Sequence, residues 1–253
     1  MKTPILILLI AISATAAYSQ GWEMGTNFNY TRPMGGMQQH IDQGFGITLE
    51  GARVFKAPFA VGAEFSYNAY GHDKTRQQYT FDDGSVTETN VIVTNAFSNL
   101  LVTGKFFLRS QKIINPYFSA KFGYSWYRTN LTIEDPEDAD GCHPLESDHL
   151  LSDGTFMASG GAGMRIDFST LFRKMKSDML FFDISAHMTQ GGTVQYMNVD
   201  KKTHAHNPDS DVVARFINNR TQVIHEHHVG YVYSSMVEMM EYRLGVIYRL
   251  ASR

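Results

Sequence analysis

The sequence has very little cysteine and no long apolar run beyond its N-terminus. The single cysteine, Cys142, excludes an intrachain disulfide. No stretch after the N-terminus reaches the roughly 18 to 20 apolar residues that a membrane-spanning helix requires. Basic residues are not in excess, since the formal net charge is -3. Binding to nucleic acid, which calls for a clustered basic surface, is therefore not predicted.

The N-terminus itself has the features of a secretory signal peptide. Lys2 precedes the apolar run 5–12, and the small residues Ala17 and Ser19 are placed for signal peptidase cleavage before Gln20. We expect residues 1–19 to be a signal peptide and residues 20–253 to form a single domain. Because Cys142 lies far from the cleavage site, it is not a lipid-bearing N-terminal cysteine of the mature chain.

The last strand of the chain, residues 236–250, alternates between two faces of opposite character. Tyr242, Leu244 and Val246 fall on an apolar face. Glu241 and Arg243 fall on the other face. Apolar side chains outside and ionic side chains inside are typical of a strand in a barrel that spans a lipid bilayer.

Seven earlier segments alternate in the same sense, and each has about the ten residues that a tilted strand needs to cross the hydrocarbon layer. The sequence therefore predicts an all-β fold, an eight-stranded antiparallel transmembrane β-barrel. Its strands are expected at residues 22–30, 44–54, 59–70, 94–108, 116–128, 155–168, 179–190 and 236–250. Short turns are expected at 55–58, 109–115 and 169–178, and long extracellular loops at 31–43, 71–90, 129–154 and 191–235. A soluble sandwich or lipocalin-like barrel is the alternative, but it does not explain apolar outer faces on all eight strands.

The inner faces of these strands carry charge in the middle of the strand. An eight-stranded barrel is just wide enough for its side chains to fill. These charges are therefore expected to pair with one another rather than to line a water-filled channel. They are Glu23, Glu50, Glu64, Lys105, Lys121, Arg165, Asp183, Glu241 and Arg243.

Taken together, these residues resemble the small outer-membrane β-barrels of Gram-negative bacteria, of the OmpA and OmpX transmembrane type. The resemblance covers residues 21–253 and includes Pro116-Tyr117-Phe118, the glycine-rich run 160–163 and the ending 244–250. It implies an outer-membrane location, contact with outer-membrane lipid and recognition by the barrel assembly machinery. It also implies roles that range from adhesion to complex assembly to lipid A editing. The chain departs from the usual terminal Phe, because Ala251, Ser252 and Arg253 follow the last apolar position.

One inner face has the residue types of a nucleophilic triad. Asp183, Ser185 and His187 lie two apart on the seventh strand, and the resemblance includes barrel enzymes that use Ser and His to edit lipid A. Residues two apart on a strand stand roughly 6.5 to 7 Å apart at the backbone. A working Ser to His hydrogen bond needs about 2.6 to 3.2 Å. We therefore predict no catalytic residues here and expect Asp183 to pair with a base inside the barrel.

Two long loops have compositions that invite a metal hypothesis. The segment 134–153 contains eight acids and no base, but it fails the EF-hand spacing, which leaves a solvated loop or an irregular calcium site. The last long loop is rich in histidine, and a hairpin would place two imidazoles on each arm, a set that suits zinc or copper. The candidate ligands are His204, His206, His225 and His227. The alternative is an exposed His-rich loop that binds no metal.

The sequence thus favours a non-enzymatic outer-membrane barrel whose extracellular loops mediate binding or complex assembly. Two other classes stay open. One is an accessory subunit of an outer-membrane secretion or uptake complex, with a protein partner in the envelope. The other is a lipid-modifying barrel enzyme. No organic cofactor is predicted.

Overall fold

The computed structural model describes residues 19–55, 58–80, 84, 86–108, 113–134, 146–169, 179–199, 210–217 and 224–251. The predicted signal peptide lies outside the described residues, except for its last residue, Ser19, with which the first strand begins. No helix in the described part of the chain is long and apolar enough to span a bilayer.

The described residues form nine β-strands and one short 3-10 helix. The 3-10 helix is Met37–Gln39. The strands are β1 Ser19–Pro33, β2 Gly44–Phe55, β3 Phe59–Thr80, β4 Val86–Phe107, β5 Ile114–Glu134, β6 Glu146–Asp167, β7 Leu180–Asn198, β8 Ser210–Ile217 and β9 Ile224–Ala251.

Eight of these strands close into an antiparallel barrel, as the alternation predicts. Neighbours in sequence pair from β1 to β7, β7 pairs with β9, and β9 returns to β1. The closing seam runs from Gly21 opposite Ala251 to Pro33 opposite Met239. Among the described strands, β8 is a ninth strand whose one partner is the N-terminal part of β9. We call the end of the barrel with the short connections the lower end and the opposite end the upper end.

The phase of every strand in the barrel matches the sequence pattern. Large apolar side chains point outward and are exposed around the whole wall, and charged or polar side chains point inward and are buried. Such a surface is stable only against an apolar medium, because soluble monomers rarely expose a contiguous apolar patch of this kind. The exposed set includes Trp22, Phe28, Ile47, Leu49, Phe65, Leu100, Phe122, Phe156, Ile184, Leu244 and Val246.

At the upper end, the strands continue well past the apolar band, so most of three segments expected to be loops are sheet. β3 and β4 stay paired to Thr80 opposite Val86. β5 and β6 stay paired to Ile133 opposite Glu146. These extensions were missed because the alternation loses its apolar and polar sense above the bilayer, where both faces can be polar. The first long connection, residues 31–43, does remain mostly irregular.

A small hydrophobic cluster, which we call the upper core, holds these extensions together. Val93, Leu131 and Val199 are buried in it, and Val91 and Leu150 pack against it. Val199 follows β7, whereas Val93 and Leu131 lie on β4 and β5. Asp153 of β6 adds a polar link, since its carboxylate accepts a hydrogen bond of 2.7 Å from the backbone N–H of Gln195. The upper part of the molecule is therefore a packed structure.

The first long connection folds inward over the barrel. Its backbone is anchored by Met34, whose N–H donates to the Glu238 carbonyl at 2.8 Å. Gly35 then adopts a φ of +58°, in the left-handed region that favours glycine. A Cβ at Gly35 would also collide with the Glu238 carboxylate. The turn directs Met37 and Ile41 into the barrel mouth, where both are buried.

Candidate functional site: the barrel interior and its mouth

The lower part of the interior is organised by Arg165 of β6. Its Nη1 donates to Glu23 of β1 at 2.8 Å, and its Nε lies 3.5 Å from Asp183 Oδ2 of β7. Arg249 of β9 donates to the same Glu23 carboxylate at 2.7 Å. The Tyr117 hydroxyl donates to both oxygens of Asp183, at 2.9 and 3.0 Å. This group links five strands around one acid shared by two guanidinium groups.

Two further groups of ion pairs fill the next part of the interior. Lys105 Nζ lies 2.8 Å from Glu50 Oε1. Arg243 donates to both oxygens of Glu64 at 2.8 Å, and Lys121 Nζ lies 3.1 Å from Oε1 of the same residue. Arg243 also bonds Glu241. These side chains are almost fully buried, so each charge depends on its partner for stability.

The expectation that the inner charges pair is therefore confirmed. Every member of the predicted set is buried and takes part in at least one ion pair. Arg249 adds a fifth base to the five acids, which balances the formal charge of the network. A filled interior of paired side chains is what the narrow bore of eight strands permits. It does not provide the unpaired, solvated lining of an ion channel.

Above the charges, the interior carries neutral hydrogen-bonding side chains. Asn29 Nδ2 donates to Thr48 Oγ1 at 2.7 Å and to Asn68 Oδ1 at 3.2 Å. Asn99 Nδ2 donates to Ser66 Oγ at 3.0 Å, and Asn99 Oδ1 accepts from the Ser125 hydroxyl at 2.6 Å. Towards the upper end, the inward residues of the strands thus change from charged to neutral. On β5, for example, Lys121 is followed by Ser125.

The upper mouth is closed by a second hydrophobic cluster, which we call the mouth cluster. It contains residues from β4, β5, β7, β9 and the first long connection. Its buried members are Met37, Ile41, Phe97, Tyr127, Val194, Tyr196, Tyr233, Val237 and Met239. Tyr70 and Tyr231 are partly buried and pack against this cluster. The interior therefore changes from ionic to neutral to aromatic towards the upper end.

Two polar contacts fix the segments that cover the mouth. His40 of the first long connection stacks on Tyr233 at a centroid distance of 3.8 Å, and its Nδ1 lies 3.0 Å from the Tyr196 hydroxyl. On the opposite side, the buried Asn95 of β4 donates to the Met197 carbonyl of β7 at 2.5 Å. The first contact holds the connection, and the second holds the upper end of β7 across the opening.

The structure does not assemble the triad suggested by Asp183, Ser185 and His187. His187 Nε2 instead lies 2.8 Å from the Ser119 hydroxyl of β5. Its Nδ1 has no hydrogen-bond partner among the described residues, and Asp183 is engaged by Tyr117 and Arg165. The pair of Ser119 and His187 has nucleophile-to-base geometry, but it is buried inside the barrel. It lacks the third group that would orient the imidazole.

The predicted metal ligands are only partly within the described structure. His204 and His206 lie outside the described residues. His225 and His227 lie two apart on β9, where the backbone register pairs them with Phe216 and Ala214 of β8. No cluster of three or more histidine, cysteine or acidic side chains occurs among the side chains that the structure describes. The zinc or copper site stays a prediction.

The acidic segment expected between the fifth and sixth strands is divided by the structure. Glu134 ends β5, Glu146 begins β6, and residues 135–145 lie outside the described residues. Asp153 serves a structural role, because it accepts from the backbone of Gly154 and Gln195. The irregular calcium site stays a prediction.

Several residues of the interior were not singled out in the sequence. Tyr117 sits at an inward position beside Pro116, and the alternation could have identified it. Arg249 lies on the same face of the last strand as Glu241 and Arg243, so the alternation could have identified it as well. Met37, Ile41 and Tyr196 carry no local signal, because their burial depends on how the connections fold over the mouth.

The chain belongs to the outer membrane protein beta-barrel domain family, whose model matches residues 4–216. The predicted resemblance and fold class are thereby confirmed, and the family is one of outer-membrane barrels. No curated protein matches the sequence closely enough to name a nearer relative.

Solved structures of bacterial surface barrels are similar to the chain over most of its length. Neisserial surface protein A shares 7% identity at a TM-score of 0.47, covering 92% of this chain and 99% of its own. The attachment invasion locus protein Ail of Yersinia pestis shares 10% identity at a TM-score of 0.43, covering 91% and 99%. OprG of Pseudomonas aeruginosa shares 10% identity at a TM-score of 0.42, covering 93% and 98%.

Proposed function

We propose that this protein is a non-enzymatic outer-membrane barrel that carries a binding platform on the cell surface. The platform consists of the upper extensions of β3, β4, β5 and β6 together with the β8 and β9 hairpin. One observation carries the proposal: β3 with β4 and β5 with β6 stay paired above the apolar band, and the upper core joins β4, β5 and β6 there. In outer-membrane barrels the end with the longer connections is extracellular.

The barrel below the platform supports a role as an anchor. Its ion pairs and hydrogen bonds join side chains across the bore, and the mouth cluster covers the upper opening. A transporter or channel would need a solvated path through these layers. A rigid anchor needs only a stable wall, and pre-organised sheets reduce the entropy lost when a partner binds.

The platform presents polar and charged side chains at its surface. His72, Lys74 and Arg76 alternate along the outward face of β3, and their side chains are exposed. This face suits a polar, transient or regulated interface rather than a permanent apolar one. The expected partner is another envelope protein or an extracellular molecule, with binding or complex assembly as the outcome.

A matched pair of variants tests the platform. Leu131→Asp places a carboxylate in the upper core, whereas Thr132→Asp places the same group on the half-exposed neighbouring position of β5. After cross-linking in native membranes, wild type and Thr132→Asp should co-purify with the same partner, and Leu131→Asp should lose it. Both variants should keep the gel migration of a folded barrel. Loss of the partner from both variants, or from neither, would refute the platform.

Two measurements separate the two rival classes. An accessory subunit of a secretion or uptake complex should bring stoichiometric protein partners. A lipid-modifying enzyme should instead change the lipid A mass spectrum of a deletion strain. The buried position of Ser119 and His187 argues against that enzyme, because no acyl chain in the bilayer reaches an inward-facing hydroxyl without opening the wall.

A weak zinc or copper site in the last long segment is a second proposed property. It is supported by the spacing of His225 and His227, which lie two apart on β9, the separation at which strand residues share a face. His204 and His206 would complete a set of four imidazoles. Ligation requires neutral imidazole, so binding should weaken as the pH falls below about 6.5.

Calorimetry with zinc and with copper on the refolded barrel tests this site. Wild type should bind and a variant with all four histidines changed to Ala should not, with the fold intact in both. A control variant with His72 and His149 changed to Ala should bind as wild type does. Equal binding by wild type and the four-histidine variant would remove the proposal.

A further inference from the structure

The outer wall of the barrel contains a shallow apolar groove. Its volume is about 570 Å³, and it crosses β1, β9, β7 and β6. The small residues Ala162, Gly163 and Ala186 form part of its lining, and larger apolar side chains form most of the rest. These larger residues are Phe28, Tyr30, Tyr242, Leu244, Met164 and Ile184.

The groove opens towards the hydrocarbon layer of the membrane. Phe28, Tyr242 and Leu244 are about half exposed and belong to the apolar outer band. A concave apolar surface in the bilayer does not stay empty, because its atoms would lose dispersion contacts on one side. Its occupant is therefore an apolar group that is present in the bilayer.

The size of the groove favours a slender occupant. A transmembrane helix is about 10 to 12 Å wide with a pitch of 5.4 Å, which gives roughly 500 Å³ per turn. The groove would hold about one turn of such a helix, too little for a stable helix contact. A fatty acyl chain is a narrow chain of CH₂ groups and can lie along the groove.

A cation marks the upper end of the groove. Arg32 follows Tyr30 on the same face of β1, and residues two apart on a strand are roughly 6.5 to 7 Å apart. In the register of the seam, Tyr30 lies opposite Tyr242 and Arg32 opposite Met240. The Arg32 side chain is exposed. The nearest acid on this face of β9 is Glu238, but its carboxylate leans over Gly35 of the first long connection.

From this arrangement we infer that the groove is a binding site for one anionic lipid of the membrane. An acyl chain lies between Tyr242 and Met164, over Ala162 and Ala186. The phosphate of the headgroup is held by the Arg32 guanidinium, whose planar fork suits phosphate. The site is independent of the platform proposed above.

Two matched pairs of variants on the same barrel test the inference. Ala162→Phe fills the groove, whereas Ala158→Phe adds the same ring to an exposed outward position of β6 that does not line it. Arg32→Gln removes the cation beside the groove, whereas Arg128→Gln removes an exposed cation two residues beyond Trp126 on β5. Gel migration before and after boiling verifies the fold of each variant.

Each protein is reconstituted in vesicles of equal parts phosphatidylcholine and phosphatidylglycerol with identical acyl chains, extracted in mild detergent and examined by native mass spectrometry. Wild type, Ala158→Phe and Arg128→Gln should retain one lipid, with a roughly tenfold preference for phosphatidylglycerol. Ala162→Phe should retain neither lipid. Arg32→Gln should retain lipid but with no preference between the two.

Three results would overturn the inference. The first is wild type without retained lipid, and the second is equal lipid retention by the two phenylalanine variants. The third is an unchanged preference in Arg32→Gln. A dimer that replaces the lipid-bound monomer in the wild-type spectrum would assign the groove to a second copy of the chain instead.

Discussion

Arg165 shows how a full charge is accommodated inside this barrel. It is almost completely buried, yet it pairs with Glu23 and Asp183 and its guanidinium lies 4.6 Å from the Phe107 ring centroid. Two acids and an aromatic face replace the water that the charge would otherwise need. Not every acid in the interior has such support. Glu64 has two basic partners, whereas Glu50 has Lys105 as its ion-pair partner among the described residues.

This difference predicts unequal costs for two similar substitutions. Lys105→Met strands the Glu50 carboxylate and should lower the free energy of unfolding by about 3 to 5 kcal/mol. Lys121→Met leaves Glu64 bound to Arg243 and should cost clearly less. Urea unfolding of the barrel in lipid vesicles measures both values.

The double variant Lys105→Met, Glu50→Gln serves as the control for the first substitution. It removes the stranded charge and should recover part of the lost stability. Equal destabilisation by the two single lysine substitutions would contradict the prediction. It would show that the number of direct partners of each acid does not determine the cost of losing one lysine.

The lipid-facing side of the barrel wall leads to a second prediction for single residues. Ala162 is exposed on the lipid-facing wall, and an arginine there would bring charge into the hydrocarbon layer at a cost of about 2 to 4 kcal/mol near the midplane. Asn130 lies in the upper extension of β5, opposite His149. Ala162→Arg should therefore reduce the yield of folded barrel in membranes, and Asn130→Arg should not. Similar yields would contradict the assigned outer face of β6.

At the scale of the element, sequence patterning predicted the strands inside the bilayer but not their upper ends. In the bilayer one face of a strand contacts lipid and the other faces the polar interior. The residue types of Tyr242 and Arg243 are therefore enough to show which face of the last strand points outward. Above the bilayer both faces of the strand are polar. His72 and Lys74 lie on one face, and Asp73 and Thr75 lie on the other, so the sequence shows no apolar face. Those residues are held as strand by the pairing with β4, which a single segment does not encode.

The interior was predictable in composition but not in its pairing. Charge in the middle of amphipathic strands identified nine of the buried ionic residues. Their partners depend on how the strands are staggered around the barrel, and Glu23 meets Arg165 at a separation of 142 residues. Glu64 and Arg243 are separated by 179 residues. The mouth cluster was missed for a related reason, because Met37 and Tyr196 become neighbours only after the barrel closes.

The upper end of β7 provides a test at this scale. Asn95→Leu removes the hydrogen bond to the Met197 carbonyl and leaves that buried acceptor without this donor. Hydrogen exchange should become faster for the amides of residues 194–199 than in wild type, because this segment loses its tether. Exchange at β1 and β2 amides should be unchanged. Unchanged exchange at residues 194–199 would show that side-chain packing alone holds the segment.

The barrel as a whole contains two different barriers to the passage of ions, one above the other. The lower barrier consists of ion pairs and the upper one is the apolar mouth cluster, separated by neutral hydrogen-bonding residues. An ion would have to separate buried pairs and then enter an aromatic layer. The two barriers do not share residues, so damage to one leaves the other in place.

Planar bilayer recordings test this arrangement. Wild type should show negligible steady conductance. Tyr196→Ala, which opens the mouth cluster, should remain closed as well because the ion pairs below are intact. A steady open pore in the wild-type protein would refute the packed interior, and an open pore in Tyr196→Ala alone would show that the mouth is the sole barrier.

The closing seam of the barrel has a consequence for how the wall could open sideways. Its two strands, β1 and β9, are the first and last of the barrel, and Glu23 and Arg249 pair across them while Arg165 reaches the same acid from β6. Separating the seam at its lower end would pull the Glu23 carboxylate away from the Arg249 guanidinium and bring both charges towards hydrocarbon. The seam is therefore held by an ion pair as well as by the backbone ladder. Opening the wall along this line would have to break that pair, and insertion of the barrel would become hard to reverse once the pair has formed.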